Sequence, residues 1–209
     1  MGRDQDRVID PTFVSAAEAF AALARRISPA DWEKPGLGEW DVRALVGHAS
    51  RSLITVSAYL RTPADREDVS SPVAYYTQIR EYLSTSGAAE VVERGRKAGR
   101  DLGPDPVATI DGLLSTVLAE LTEVDDPLIA VIGGLGIRLS NYLPTRTFEL
   151  AVHGLDIIRA TGMSATLPSE VVEEATVLAA RVGVALGDGE QVLLSLTGRT
   201  ELPPGFSVV

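Results

Sequence analysis

At 209 residues the chain has room for one domain, or one with a short appendage, on a scale of about 150 residues per domain. A hydrophobic share of 45% supports a real core and excludes disorder, while 29 acidic against 19 basic residues give a net charge of −10 that argues against binding a phosphate backbone. With no cysteine, disulfides, thiolate metal sites and a cysteine nucleophile are excluded.

The first ten residues, MGRDQDRVID, are charged and lack the apolar run of a secretory signal. The longest apolar stretch, residues 128–137, is far shorter than the roughly 20 residues of a membrane helix and contains three glycines. The expectation is a cytoplasmic protein with no membrane partner.

Helical periodicity dominates the first three-quarters of the chain. Phe13, Ala16, Ala17, Phe20, Leu23, Ala24 and Ile27 follow a three-and-four spacing that Ser28-Pro29 closes. The segment DWEKPGLGE reads as an ordered loop, with Trp32 and Trp40 packing at its flanks. A second helix starts near Trp40-Asp41, carries Val42, Leu45, Val46, Ala49, Leu53, Val56 and Leu60 on one stripe, and ends at Arg61-Thr62-Pro63. Residues 73–100 form a third helical stretch interrupted around 84–87. A fourth helix runs from Pro106 to about Val124, burying Ile110, Leu113, Leu114, Val117, Leu118 and Leu121. The glycines at 133, 134 and 136 read as a loop into a fifth helix over 140–161, with Pro144 in or near its first turn. A further helix covers 169–186, and Gln191–Leu196 with the following Thr-Gly-Arg reads as a strand and turn.

The chain holds two histidines, His48 and His153. Glu149 precedes His153 by four residues, so the two side chains stand one above the other on a helix, with Cβ atoms about 5–6 Å apart. Both can reach one cation. His48 lies between Val46 and Ala49 on the second helix, and inward-facing Glu and His side chains on neighbouring helices are how bundles build metal sites. Two imidazoles and a carboxylate leave a divalent ion with a residual charge of about +1 and an open position for a ligand. The same spacing also fits an ordinary hydrogen-bonded pair, with His48 satisfied elsewhere in the core. Periodicity leaves both readings open. Tyr75-Tyr76 fits either the core or a pocket edge.

The segments Trp40-Asp41-Val42-Arg43-Ala44-Leu45-Val46-Gly47-His48 and Arg146-Thr147-Phe148-Glu149-Leu150-Ala151-Val152-His153-Gly154-Leu155-Asp156 resemble the two motifs of the mycothiol-dependent maleylpyruvate isomerase family, in the wider DinB/YfiT-like group of metal-binding four-helix bundles. The resemblance implies a mainly α fold: a bundle over residues 1–162 and a short mixed α/β C-terminal appendage over 163–209. It implies a metal site of His48, Glu149 and His153, most simply zinc, although nickel, manganese and iron accept the same ligands. It also implies mycothiol as thiol cosubstrate, activated as a metal-bound thiolate. The thiolate then adds to a conjugated double bond for isomerisation, or displaces a leaving group in S-transfer, on a small electrophile held between bundle and appendage.

Three residues are weaker catalytic candidates. Asp156 steadies a ligand or is a solvated helix charge, and Arg146 pairs with Glu149 or with a substrate carboxylate. Arg199 matches a C-terminal arginine that in the family contacts an acidic substrate, or is simply solvated. The implied partners are a small thiol and a small electrophile, with no nucleic acid. The alternative function is a non-catalytic bundle that binds a metal or a small acid.

Overall fold

The computed structural model describes residues 10–83 and 88–209. Helix α1 (Pro11–Arg26) starts where Asp10 accepts hydrogen bonds from the Thr12 and Phe13 amides, with Pro11 in its first turn. Its predicted stripe is buried from Phe13 to Ala24. Helix α2 (Val42–Tyr59) starts on the Asp41 carboxylate, which accepts from the Ala44 amide at 2.7 Å, and buries Val42, Leu45, Val46, Ala49, Leu53 and Val56. Between them the expected ordered loop closes on itself, the Gly36 amide donating to the Trp40 carbonyl.

Helices α3 (Pro72–Leu83) and α4 (Ala88–Asp101) flank the break expected at 84–87, which lies outside the described residues. Helix α5 (Pro106–Thr122) buries Ile110, Val117 and Leu121 fully, while Leu113, Leu114 and Leu118 are half-buried against the core. Helix α6 (Leu139–Thr161) ends at Gly162 in a left-handed conformation, and α7 (Ser169–Ala185) follows. Helices α1, α5, α2 and α6 pack in a closed ring around the core, giving the mainly α, DinB-like four-helix bundle. Helix α4 lies along the outside of α2, α7 packs on α6 and α1, and α3 packs on α6 and α7.

Three expectations are corrected. The glycine-rich segment is not a plain loop: β1 (Leu128–Ala130) and β2 (Gly136–Arg138) form an antiparallel hairpin around a 3-10 turn, with Ile129 opposite Ile137 and both buried. Backbone contact with the 62–69 loop selects this form, since a Cβ on Gly136 would lie 1.8 Å from the Arg66 carbonyl oxygen. Pro144 is the sixth residue of α6, inside its second turn and just past the first turn expected for it. The expected strand at Gln191–Leu196 is a helix, α8 (Gly189–Leu196), because Val192 packs back onto Gly183 of α7 where a strand would have no partner. The C-terminal part is thus two helices and an irregular tail. Among the described residues no helix is long and apolar enough to cross a membrane.

Candidate metal centre

Helices α2 and α6 are neighbours in the bundle and pack directly on each other, and each carries a polar stripe amid its apolar one. On α6 the stripe is Tyr142, Arg146, Glu149, His153 and Asp156, at three- and four-residue steps; on α2 it is His48, Ser52, Thr55 and Tyr59. Where the stripes meet, ligand atoms of His48, Glu149 and His153 all lie within 4.8 Å of one another.

Each side chain is held from behind. His153 presents Nε2 to Glu149 Oε2 at 3.5 Å, while its Nδ1 lies 3.2 Å from Asp156 Oδ2. Asp156 therefore orients the imidazole rather than standing as a solvated charge. The His48 ring sits edge-on to His153, centroids 4.9 Å apart, and beneath Trp40, centroids 4.6 Å apart. Trp40 is fixed in turn by its Nε1–H, which donates to the Val92 carbonyl, and by the bare backbone of Gly95. The Tyr76 hydroxyl lies 2.9 Å from Glu149 Oε1 and 3.0 Å from the Thr145 carbonyl.

The charges are uneven. Burial, reinforced by nearby His153, pushes His48 down to about 4, so it is neutral with a free lone pair at pH 7. For His153 burial acts in the same downward sense, but the Asp156 and Glu149 carboxylates outweigh it and lift the group to about 9. Burial would raise Glu149, yet His153, Arg146 and Tyr76 together bring it down to about 2. One polar atom is left over: His48 Nδ1 is buried with no hydrogen-bond partner. A buried unpaired nitrogen costs about 1–3 kcal/mol, a cost that a cation accepting its lone pair would remove.

The cluster opens onto a cavity of about 570 Å³ walled by tyrosines. Arg146 lies inside it, its guanidinium carbon 5.4 Å and 4.9 Å from the ring centroids of Tyr75 and Tyr142. Its Nε donates to Thr145 Oγ1, and Nη2 to the Tyr75 hydroxyl at 3.3 Å. Among the described residues it forms no ion pair, so the expected bridge to Glu149 is absent. Arg199 stands apart: it is exposed beyond α8, donates to its neighbour's carbonyl at Thr197, and is not part of the cavity wall.

Helical spacing marks out the two histidines and Glu149, but not Tyr59, Tyr142, Arg51 and Arg94 on the cavity wall, nor the stacking of Trp40 on His48. Tyr142 was within reach, since it lies seven residues before Glu149 and so on the same helical face. Tyr75 and Tyr76 are both core and pocket edge, only 6% and 8% exposed yet lining the cavity.

No curated protein and no solved structure matches the chain. The family model for the mycothiol maleylpyruvate isomerase N-terminal domain matches residues 13–158, from the start of α1 almost to the end of α6, a span that takes in His48, Glu149 and His153. The chain belongs to that family.

Proposed function

We propose that the protein is a divalent-metal-dependent enzyme that activates a low-molecular-weight thiol, mycothiol, for S-transfer to a small electrophile or for its isomerisation. The observation that carries this reading is the meeting of His48, Glu149 and His153 ligand atoms within 4.8 Å at a tyrosine-walled cavity. The donor set suits zinc-type ions, and the unpartnered Nδ1 of His48 supplies an independent sign of fit. When bound, such a cation supplies the Lewis acidity that lowers a thiol's pKa toward neutrality.

The chain's own residues do the rest. Asp156 holds His153 by Nδ1 and leaves Nε2 to face the cation. Trp40 keeps the His48 ring from turning. Arg146, a guanidinium without a carboxylate partner among the described residues, receives an anionic part of the electrophile and orients it toward the centre. Tyr75, Tyr76 and Tyr142 exclude water, which protects a nucleophile from protonation. The division into a chemistry-bearing bundle, 1–162, and a supporting segment, 163–209, belongs to this reading. So does a cytoplasmic location.

A second reading, a non-catalytic module that binds a metal or a small acid, draws on the position of Arg199 outside the cavity. Elemental analysis of the purified protein and a His48→Ala variant tests the centre: about one equivalent of divalent metal per chain, lost in the variant, supports it. Metal absent from both after incubation with zinc refutes it. Thiol consumption in the presence of a simple electrophile separates the two readings, since the non-catalytic module consumes none.

A further inference from the structure

Tyr76 of α3 is the one group from outside α2 and α6 whose hydrogen bond reaches a member of the cluster among the described residues. Its hydroxyl has a single proton and two acceptors in range, Glu149 Oε1 at 2.9 Å and the Thr145 carbonyl at 3.0 Å. The carbonyl lies inside α6, where the helical pattern already supplies it with the Glu149 amide. The carboxylate carries charge and makes the stronger bond, so the proton goes to Oε1. The ring has no room to turn: it packs edge-on against Phe148, centroids 5.2 Å apart, and at 90° to Tyr75.

The other carboxylate oxygen, Oε2, is the one near His153 Nε2, at 3.5 Å. The geometry points to Tyr76 as a positioning residue that reserves Oε1, so that Glu149 offers a cation one oxygen and not two. The inference rests on the metal-centre reading and adds to it a limit on coordination. A carboxylate that grips through both oxygens fills two positions, whereas one already donated to from the rear fills one. The position left open for a thiol at the cation then depends on the phenol of α3.

Cobalt(II) is the probe, because its visible bands weaken as coordination number rises. The full-length wild-type chain and Tyr76→Phe are each titrated with Co²⁺, with affinity read by competition. In Tyr76→Phe the freed Oε1 turns to the cation, the visible bands lose intensity and shift, and affinity changes by about 10-fold, the lower end of what outer-sphere partners contribute. Identical spectra in the two proteins, at any affinity, overturn the proposal and leave the metal centre standing. A wild-type protein that binds no cobalt overturns both. Should Tyr76→Phe fail to fold, infrared difference spectra of the wild type on zinc addition decide. A wider splitting of the Glu149 carboxylate stretches, identified by their loss in Glu149→Gln, means one oxygen engaged. A narrower splitting means two, and refutes the role of Tyr76.

Discussion

Gly47, beside His48, lies where α2 and α4 touch backbone to backbone. A Cβ at Gly47 would come 2.3 Å from the Gly99 amide nitrogen and 2.5 Å from the Ala98 carbonyl carbon, against 3.4 Å or more for ordinary contact. Gly47→Ala therefore needs about 1 Å of separation, and both obstructing atoms belong to a helical backbone that cannot swing aside as a side chain would. Overpacking of this kind costs about 1–3 kcal/mol, here toward the upper end, and the better helix propensity of alanine returns about 1 kcal/mol. The net loss of about 1–2 kcal/mol lowers Tm by roughly 2–8 °C for a chain of this length. α6 packs on the other side of α2, so an α2 that gives way shifts relative to α6 and takes His48 with it, and metal affinity falls by about 10-fold or more. Gly112→Ala is the control: the site is exposed on α5, and a Cβ there meets nothing within 4 Å, so it stabilises by up to about 1 kcal/mol. Circular-dichroism melts and competitive zinc titrations give both quantities. If Gly47→Ala melts at or above the wild type with unchanged zinc affinity, the close approach of α2 and α4 is not what sets the position of His48.

Metal-free protein is most stable near pH 6.5. His153, raised to about 9 when folded, contributes stability that is full below its unfolded value of 6.5 and is lost as pH rises toward 9. His48, depressed to about 4, contributes stability that is full above 6.5 and is lost as pH falls toward 4; each flank is worth about 3 kcal/mol. Chemical denaturation of chelator-treated protein from about pH 5 to pH 9 reads this out, and a stability that changes in one direction throughout refutes it. Asp156→Asn weakens zinc binding by about 10- to 100-fold with little change in fold, measured by competition with a chromophoric chelator. Arg146→Met raises KM for an anionic electrophile more than for a neutral one of similar size; equal effects on the two would remove Arg146 from substrate recognition.

The sequence carried the bundle well where an apolar stripe coincided with a capping residue. Asp10 and Asp41 mark the starts of α1 and α2, and the stripes from Phe13 and Val42 face the core. Glu149 and His153 were legible as neighbours because their spacing is a property of one helix. That His48 joins them depends on how α2 packs against α6, which no local pattern encodes, and only the family motif linked them. The misses share a cause. Val-Leu-Leu-Ser-Leu is too short and too uniformly apolar to separate strand from helix, and its contact with α7 decided the outcome. The three-residue strands of the 128–138 hairpin are held by the 62–69 loop, about 70 residues away in sequence, and so leave little local signature. Arg146 reads as a partner of Glu149 or of a substrate carboxylate; of the tyrosines around it, Tyr142 stands one turn earlier on α6, but Tyr75 comes from α3, which no local pattern encodes.

Two of the three donors, Glu149 and His153, are brought together by the folding of a single helix turn, and the third is supplied from about a hundred residues earlier in the chain. A cation taken by all three thus acts as a clip between distant parts of the polypeptide. Because the three donors meet only in the folded chain, the cation is released on unfolding and stabilises by mass action, by about 2.7 kcal/mol when the free metal stands at about 100 times its Kd. Heat resistance then follows the free concentration of the metal, and a cell short of that metal would hold a smaller folded pool of this protein before any catalytic step is affected.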